Sequence, residues 1–308
     1  MAIKYLNARR IRGSSTEDAP LGDGLKAYYK LNTNYTTNPQ TEANVASTIT
    51  GSSGTDMGTN ADISIINQPT QVTSGVPSGL DDANLFNGTN EYGKAGSLAN
   101  RSQWNFLHDT TAKWTLNVWL KFPDGEPSAN TYLWSDAEAT DTQPSMQLRS
   151  RGTYWRFIVC NDSGVVLNTN DSPELPIPQD DDWHMYTLRY DYSQSSDTFI
   201  YSVDGATSGT YYVTDDKTGT ATDNAGDVEP FFMADGYGGL YGEMNATACE
   251  LAIWQDKILS NEQVTKLYNS GNGVQIDFYV GERGPKGFYS RKLKAGAISL
   301  THSKRNRT

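Results

Sequence analysis

The sequence is poor in the residues that build most metal and disulfide sites. Its 308 residues include only three histidines and two cysteines. The histidines are too scattered to form a zinc site, and Cys160 and Cys249 are 89 positions apart rather than closely spaced. We therefore expect two buried strand thiols, with a disulfide across a sandwich as the alternative.

Long apolar runs are also missing. No segment approaches the ~18 apolar residues that a membrane-spanning helix needs, so membrane insertion is not expected. Residues 1–15 (MAIKYLNARRIRGSS) are charged and lack the ~7–15-residue apolar stretch of a secretory signal. Either the mature chain begins elsewhere, or the protein is made in a cytoplasm and leaves it without the general secretory route; the second is the expectation carried forward.

The distribution of charge divides the chain into an acidic body and two basic ends. Acidic residues outnumber basic ones by 36 to 25, for a formal net charge of -11. Residues 1–12 and 283–308 hold 12 of the basic residues and no acid, so residues 13–282 carry a net charge of -23. Because a polyanion repels a polyanion, nucleic-acid binding is not expected of the body.

The basic ends are predicted to be assembly arms, comprising residues 1–24 and 276–308. Both arms mix basic side chains with apolar anchors such as Tyr5 and Phe288. The acidic body of a like subunit would complement their charge, so the expected partners are copies of the same chain or a lattice of other structural subunits. The basic residues expected to make these contacts are Arg9, Arg10, Arg12, Arg291, Lys292 and Lys294.

Between the arms, short alternating segments predict strands. In KWTLNVWLKF (113–122), Trp114, Leu116 and Val118 fall on one face. Many such segments at roughly even spacing, with almost no helix, favour an all-β sandwich or jelly roll over βαβ units. A polar stretch at 32–62 is expected to be a surface excursion with little to bury. The predicted strands are 25–31, 83–92 with a turn at Asn87-Gly88, 113–122, 131–134, 145–149, 153–160, 183–190, 198–203, 229–233 and 248–254.

One helix is predicted near the end of the body. Ser260 and Gln263 form a Ser-x-x-Gln capping box, which is typical of a helix N-terminus. Val264 and Leu267 follow at helical spacing, and Gly271 stands where a C-terminal stop is expected.

Several of these segments together resemble the laminin G-like, concanavalin A-like lectin/glucanase family. The likeness is carried by 113–122, by DWHMYTLRYD (182–191), by IYSVDG (200–205), and by a closing strand and helix at 241–269. The resemblance implies an all-β, concanavalin A-like jelly-roll sandwich over 25–275, with one short C-terminal helix and extended basic arms on either side. In one departure, Cys249 occupies the position that usually holds Asp before Glu250.

A catalytic site is not expected. A retaining glycosidase needs two carboxylates about 5–5.5 Å apart. The Glu-x-Asp-x-(x)-Glu run of this family's hydrolases is missing, and the nearest pair, Asp136 and Glu138, lies beside loop sequence. His184 sits inside a predicted strand, and the sequence has no Gly-x-Ser-x-Gly elbow for a serine nucleophile.

The aromatic residues divide into expected core and candidate ligand contacts. Five tryptophans in predicted strands are expected to form the inter-sheet core: Trp114, Trp119, Trp155, Trp183 and Trp254. Trp134, Tyr237 and Tyr241 lie nearer predicted loop edges and are the candidate ligand-binding residues. Tyr237 is flanked by glycines, which favours an accessible ring.

Calcium is the only cofactor considered. Oxygen-rich loops suit this hard cation, and domains of the resembled family often bind it. The candidate ligands are Asp180, Asp181 and Asp182, with Asp81-Asp82 and Asp215-Asp216 as alternatives; acidic loops that are merely solvated remain the competing interpretation.

The leading hypothesis for function is a non-enzymatic structural protein of a larger assembly. We expect a virion capsid-decoration or fibre-type protein on the surface of a virion or other extracellular particle, with the lectin-like sandwich displayed outward. In its small polar loops and its sandwich module, the chain resembles decoration and fibre proteins of tailed phages. The alternative is a carbohydrate-binding adhesion module that recognises a surface glycan, and the second alternative is a glycan-active hydrolase.

Overall fold

The computed structural model describes residues 21–49, 57–137, 143–169, 175–195, 198–207, 209–213, 219–225, 228–234 and 242–276. The six basic residues assigned to the arms (Arg9, Arg10, Arg12, Arg291, Lys292 and Lys294) lie outside this part of the chain. So do Tyr237 and Tyr241, two of the three candidate ligand-binding aromatics.

The described chain is an all-β sandwich, as the sequence predicts. Its strands form two antiparallel sheets, each with eight members. In chain order they are β1 (Leu25–Tyr29), β2 (Gln40–Glu42), β3 (Ile63–Ile66), β4 (Thr70–Val72), β5 (Ala83–Asn87), β6 (Tyr92–Ala95), β7 (Lys113–Lys121), β8 (Ala129–Ser135), β9 (Ser145–Arg151), β10 (Trp155–Asn161), β11 (Gly164–Asn168), β12 (His184–Asp191), β13 (Phe199–Val203), β14 (Thr210–Val213), β15 (Phe231–Phe232) and β16 (Asn245–Gln255).

The first sheet has the order β14-β13-β12-β7-β16-β5-β4, and β1 also pairs with β16. One edge of β16 therefore serves two short strands, β5 along Asn245–Ala248 and β1 along Leu251–Trp254. A bulge separates them, where the pairing with β7 shifts register and Glu250 has a φ of 56°. The extra residue of the bulge bends β16 at the point where its pairing changes from β5 to β1.

The second sheet has the order β11-β10-β9-β8-β15-β6-β3-β2. A turn at Asp162–Gly164 joins β10 to β11 in a hairpin. The predicted turn at Asn87-Gly88 follows β5, but it does not close a hairpin, because β5 belongs to the first sheet and β6 to the second. This turn instead carries the chain from one layer to the other, which local turn chemistry alone does not distinguish from a hairpin.

Large aromatic side chains fill the space between the sheets. Trp114 and Trp155 are fully buried there, as predicted, and Phe157 stacks on Phe199 with a centroid separation of 4.3 Å. No disulfide joins Cys160 to Cys249, which matches the expectation of buried strand thiols. Burial raises the pKa of the Cys249 thiol.

A second core lies on the outer face of the first sheet, and it corrects part of the tryptophan prediction. Trp119 and Trp254 are buried in this second cluster and not between the sheets, while Trp183 packs against it half-buried. Trp119 stacks on Tyr268 at 5.8 Å, and the Trp254 indole N–H donates to the carbonyl of Leu21. Both faces of this sheet are thus covered over most of its area.

The helix α1 (Asn261–Tyr268) covers that outer face. The capping box is confirmed: Gln263 N donates to Ser260 Oγ at 3.2 Å, and Ser260 N donates to Gln263 Oε1 at 3.0 Å. The helix ends at Asn269, which adopts the left-handed conformation, so the predicted stop at Gly271 is two residues late. Among the described residues, no helix has the length and apolarity to cross a membrane.

The described parts of the polar segment 32–62, residues 32–49 and 57–62, bury more than their composition suggests. They contain β2 and bury Tyr35, Glu42 and Ala46. The Glu42 carboxylate accepts hydrogen bonds from Leu31 N at 2.9 Å, from the Thr33 hydroxyl at 2.8 Å and from the Tyr35 hydroxyl at 3.0 Å. One satisfied buried carboxylate organises the segment where apolar residues are scarce.

Candidate functional site

A cleft opens on the outer face of the first sheet, beyond the area that α1 covers. We call it the outer cleft; its volume is about 370 Å³. It lies over the end of the sheet where β7 begins and β12 ends, since Lys113 pairs with Asp191 and Arg189 pairs with Ile200 across neighbouring strands. Alternation along the strands places these side chains on one face. The cleft is lined by Lys113, Arg189, Asp191, Gln194, Thr198, Ile200 and Ile258.

Arg189 is the unusual residue of the outer cleft, because it is a buried cation with no anionic partner among the described residues. Only 3 % of the Arg189 surface is exposed. Nη1 donates to the Leu259 carbonyl at 3.1 Å and to Asn261 Oδ1 at 2.7 Å, and Nη2 donates to Ser202 Oγ at 2.9 Å. Nε has no acceptor among the described residues. Burial lowers the pKa of this guanidinium, yet arginine stays protonated at any physiological pH.

The other charged residues of the outer cleft neutralise each other. Lys113 Nζ lies 3.4 Å from Asp191 Oδ2, and Ser193 donates to Asp191 Oδ1 from both its backbone and its hydroxyl. Burial raises the pKa of Asp191, but these hydrogen bonds and the lysine charge outweigh it and hold that pKa below its ordinary value. Asp191 is therefore ionised and paired, so Arg189 carries the uncompensated charge.

An exposed aromatic ring stands at the border of the outer cleft. Tyr212 on β14 pairs directly with Ile200, so the two side chains lie side by side on the outer face. Tyr212 is 52 % exposed, one of the largest exposures of any aromatic in the described chain. Its neighbour Tyr211 points to the opposite face of the sheet, where it contacts Tyr201 at a centroid distance of 5.8 Å.

A second charged group lies at the opposite end of β12. His184 Nδ1 lies 2.7 Å from Asp204 Oδ2, and Nε2 lies 2.8 Å from Asp180 Oδ1. Burial alone would lower the pKa of His184, but the hydrogen bonds to the two carboxylates outweigh it and raise that pKa to about 9. The imidazolium thus joins a loop, a strand and a turn, and no nucleophile accompanies it in the described contacts.

The predicted calcium ligands do not converge. Asp180 is engaged by His184 and also accepts the backbone N–H of Asp182. Asp181 instead forms an ion pair with Lys121 at 3.7 Å. Within the described ranges, no group of three or more His, Cys, Asp or Glu residues is arranged to hold a metal ion. The prediction of a metal site formed by Asp180, Asp181 and Asp182 is therefore not supported by their geometry.

Trp134 is not the accessible ring that the sequence suggests. It is fully buried between the sheets and lies 5.1 Å from Trp104, centroid to centroid. The sequence places Trp134 at the end of a predicted strand, near a loop edge. In the structure β8 continues to Ser135, and the 3₁₀ helix Leu98–Leu107 covers the Trp134 ring. The prediction that Trp134 contacts a ligand is wrong for this reason.

Asp136, the described member of the nearest carboxylate pair in the sequence, lies in the protein interior. Asp136 Oδ1 accepts the backbone N–H of Met146 at 2.5 Å, and Oδ2 lies 3.7 Å from Nε2 of the buried His108. Burial lowers the pKa of His108 to about 4, so this imidazole is neutral at physiological pH. Glu138 lies outside the described residues, so no paired catalytic arrangement with Asp136 is described.

Arg189 and Tyr212 are the site residues that sequence reasoning missed. The signal for Arg189 was present: in WHMYTLRY the arginine alternates in phase with Met185 and Thr187, on a face that packing otherwise covers. A cation in that phase indicates either an uncovered patch or a specific partner. The signal for Tyr212 was a pair of adjacent tyrosines, Tyr211-Tyr212, which must point to opposite faces of a strand.

Comparison with known proteins finds structural likeness only. No family model matches the sequence, and no curated protein matches it either. Domain 4 of AbnA, a GH43 extracellular arabinanase from Geobacillus stearothermophilus solved with arabinotriose, has a TM-score of 0.47 and 11% identity over 79% of this chain and 97% of that one. The binding domain of botulinum neurotoxin DC, solved with rat synaptotagmin II, has a TM-score of 0.48 and 11% identity over 82% of this chain and 52% of that one. The binding domain of botulinum neurotoxin serotype D has a TM-score of 0.47 and 10% identity over 80% and 52%.

Proposed function

We propose that this protein is a non-enzymatic binding module that recognises a carbohydrate in the outer cleft. The observation that carries the proposal is the exposed ring of Tyr212 beside a cleft whose lining includes the guanidinium of Arg189, the amide of Gln194 and the hydroxyl of Thr198. A sugar ring offers an apolar face that can stack on an aromatic side chain and hydroxyls that bind polar groups. Small-molecule sites combine these elements in a concave surface.

Charge pairing within the cleft supports binding rather than hydrolysis. A retaining or inverting glycosidase places two carboxyl groups on either side of the scissile bond. Asp191 is the one carboxylate among the residues that line the described cleft, and Lys113 and Ser193 already engage it. Its pKa is held low, which is the opposite of what a general acid requires.

A glycan array with three proteins tests the proposal. Wild type is compared with Tyr212→Ala and with the matched control Tyr211→Ala, an adjacent tyrosine on the opposite face of β14. We expect wild type and Tyr211→Ala to bind the same glycans, and Tyr212→Ala to bind them at least about fivefold more weakly, since one aromatic contact is worth about 1 kcal/mol or more. An array without any signal for wild type, or equal signals for all three proteins, overturns the proposal.

We also propose that the module belongs to a larger assembly, as a decoration or fibre-type protein on a virion or another extracellular particle. The observation that favours this role is the division of charge between basic ends and a body of net charge -23. Light scattering on the full chain and on a chain without residues 1–20 and 283–308 tests it. We expect a multimer that the truncation and high salt dissociate, because screening weakens contacts between exposed charges; an unchanged molar mass overturns the assembly role.

A further inference from the structure

We propose that the open edge of strand β14 pairs with residues 297–301 in the C-terminal arm of a neighbouring copy of this chain, so that the arm adds one strand to the first sheet. This inference deepens the proposed assembly role and rests on it. It begins with the strand order. Within the described sheets, β14 is the last member of the first sheet and pairs on one side only, with β13. Its other side is an edge where a further strand can pair.

The backbone groups that face this open edge follow from the alternation of an antiparallel ladder. Val203 N donates to the Gly209 carbonyl at 2.9 Å, so Gly209 is a bonded position in the pairing with β13. Bonded positions recur at every second residue, so Tyr211 also faces β13. Thr210 and Tyr212 therefore direct their N–H and C=O groups away from β13. No described residue forms a hydrogen bond with these four groups.

Strand β14 also lacks the features that keep edge strands from pairing. Its pairing with β13 runs through four residues without a register shift, and its sequence TYYV has no charge and no proline. The strands at the other three sheet ends are less suitable. Strands β2 and β4 have three residues each and directly follow Pro39 and Pro69, and a register shift interrupts the pairing of β11 with β10. Short length, proline and bulges all discourage strand addition, so β14 is the favoured edge.

A second copy of β14 is a poor occupant of this edge. Pairing two such strands would bring together two bodies that each have a net charge of -23. Four residues on each side would also bury far less than the about 1,200 Å² of a stable interface. A short segment on a terminal arm avoids the charge repulsion, because only the arm has to approach the edge.

The C-terminal arm contains a segment with the pattern of a strand. Residues 295–303 (AGAISLTHS) form the longest run without an acid, lysine or arginine in either arm. Within it, Ile298 and Leu300 alternate with Ser299 and Thr301, as in a strand with one apolar face. The 20 residues between Ile276, where the described chain ends, and Ala297 can span up to about 70 Å, which is enough to reach a neighbouring copy.

The charges of the two partners are complementary. Residues 197–216, which include β13 and β14, hold four acids and no lysine or arginine. Residues 291–305 of the arm hold five lysines and arginines and no acid, and these basic residues lie on both sides of the uncharged run. Attraction between the two segments therefore brings the arm to the edge in either strand direction. The backbone hydrogen bonds then fix the pairing.

The first experiment adds an excess of a peptide with sequence 291–305 to the full chain and follows the molar mass by light scattering. The peptide competes with the arms for the edge, so we expect it to dissociate the multimer into single chains. One control peptide has the same residues in scrambled order. The other carries Ser299→Pro and Leu300→Pro, which removes an N–H from either side of the strand. We expect neither control to dissociate the multimer.

These peptides separate strand pairing from attraction between charges alone, because all three have the same net charge. A control peptide as effective as the native one overturns the pairing, and so does a native peptide without effect. Dissociation by a peptide with sequence 1–15 but not by 291–305 would assign the edge to the N-terminal arm and overturn the proposal as well.

The second experiment changes the edge. Thr210→Pro removes an N–H that faces the open side and takes no part in the pairing with β13. The matched control Thr210→Val keeps this N–H, and both variants lose the hydroxyl that lies 3.3 Å from Ser202 Oγ. We expect Thr210→Pro to associate at least about tenfold more weakly than wild type, and Thr210→Val to associate like wild type. Thr210→Pro with the molar mass of wild type overturns the proposal. If circular dichroism shows Thr210→Pro unfolded, the peptide experiment decides.

The outcomes distinguish this inference from the role on which it rests. If removal of residues 283–308 dissociates the multimer but Thr210→Pro and the native peptide do not, the assembly role stands and the pairing with β14 falls. If the full chain is a single chain in solution, both fall.

Discussion

The imidazole of His184 lies between two carboxylates, with Nδ1 2.7 Å from Asp204 Oδ2. Asp204 belongs to the turn after β13, and its second oxygen accepts the backbone N–H of Met185 at 3.0 Å. The other partner, Asp180, precedes β12. Because both ring nitrogens face carboxylate oxygens, both must donate, and this requires the protonated ring. A single imidazolium thus connects three segments of the sandwich.

Stability should fall when the pH is raised through about 9. The hydrogen bonds to Asp204 and Asp180 overcome the effect of burial and raise the pKa of His184 from 6.5 to about 9. Its contribution is fully present below pH 6.5 and is lost as pH rises through the folded-state value. After allowance for the exposure of Asp180, we expect a loss of about 2 kcal/mol, measured as the free energy of unfolding at pH 6 and pH 10.

The control for this pH dependence is His184→Gln, which keeps a polar side chain but does not titrate. Its stability should be lower than that of wild type at pH 6, and its change between pH 6 and pH 10 should be smaller by about 2 kcal/mol. Parallel curves for the two proteins would show that other groups cause the loss.

The helix cap should matter more than the salt bridge on the same helix. Ser260→Ala removes the side-chain acceptor of the capping box and should cost about 1 kcal/mol. Lys266→Ala removes the exposed i,i+4 pair with Glu262 and should cost less than about 0.5 kcal/mol. Urea unfolding of the two variants gives both values, and a larger loss for Lys266→Ala would contradict this order.

Much of the fold could be predicted because its information is local. Alternation in 113–122 depends only on the strand itself, and β7 occupies nearly the same residues. The capping box likewise depends on residues three positions apart. Strands β2, β3 and β4 are not predicted because each has only three or four residues, too few for alternation to show, and each is held by pairing with a neighbouring strand.

The site could not be predicted to the same degree, because it depends on what covers a sheet face. Whether Arg189 is buried or solvated is decided by the segment at 256–261, about 70 residues later in the chain. The same holds for Trp119, whose ring meets Tyr268 of α1 rather than the inter-sheet core. Alternation assigns a residue to a face, and only the assembled layers show which faces are covered.

Trp134 should contribute to stability and not to glycan binding. Trp134→Ala would leave a large cavity beside Trp104 and should cost about 3–5 kcal/mol. The milder Trp134→Phe keeps an aromatic ring and should remain folded, with array signals equal to those of wild type. A selective loss of glycan signal in folded Trp134→Phe would instead show that Trp134 takes part in glycan binding.

Two glycines with left-handed backbone offer a matched test of close packing. Gly242 has a φ of 65°, and a Cβ there would press against the Asn130 carbonyl and the Tyr132 ring; Gly152 has a φ of 89° with open space around its Cβ position. Gly152→Ala is therefore expected to lower the free energy of unfolding by about 1 kcal/mol, from the left-handed backbone alone. Gly242→Ala has the same backbone strain and must also displace the backbone of β8. We therefore expect it to lower the free energy of unfolding by more than about 2 kcal/mol. Thermal unfolding compares the two variants directly, and equal losses would mean that β8 yields without cost at this contact.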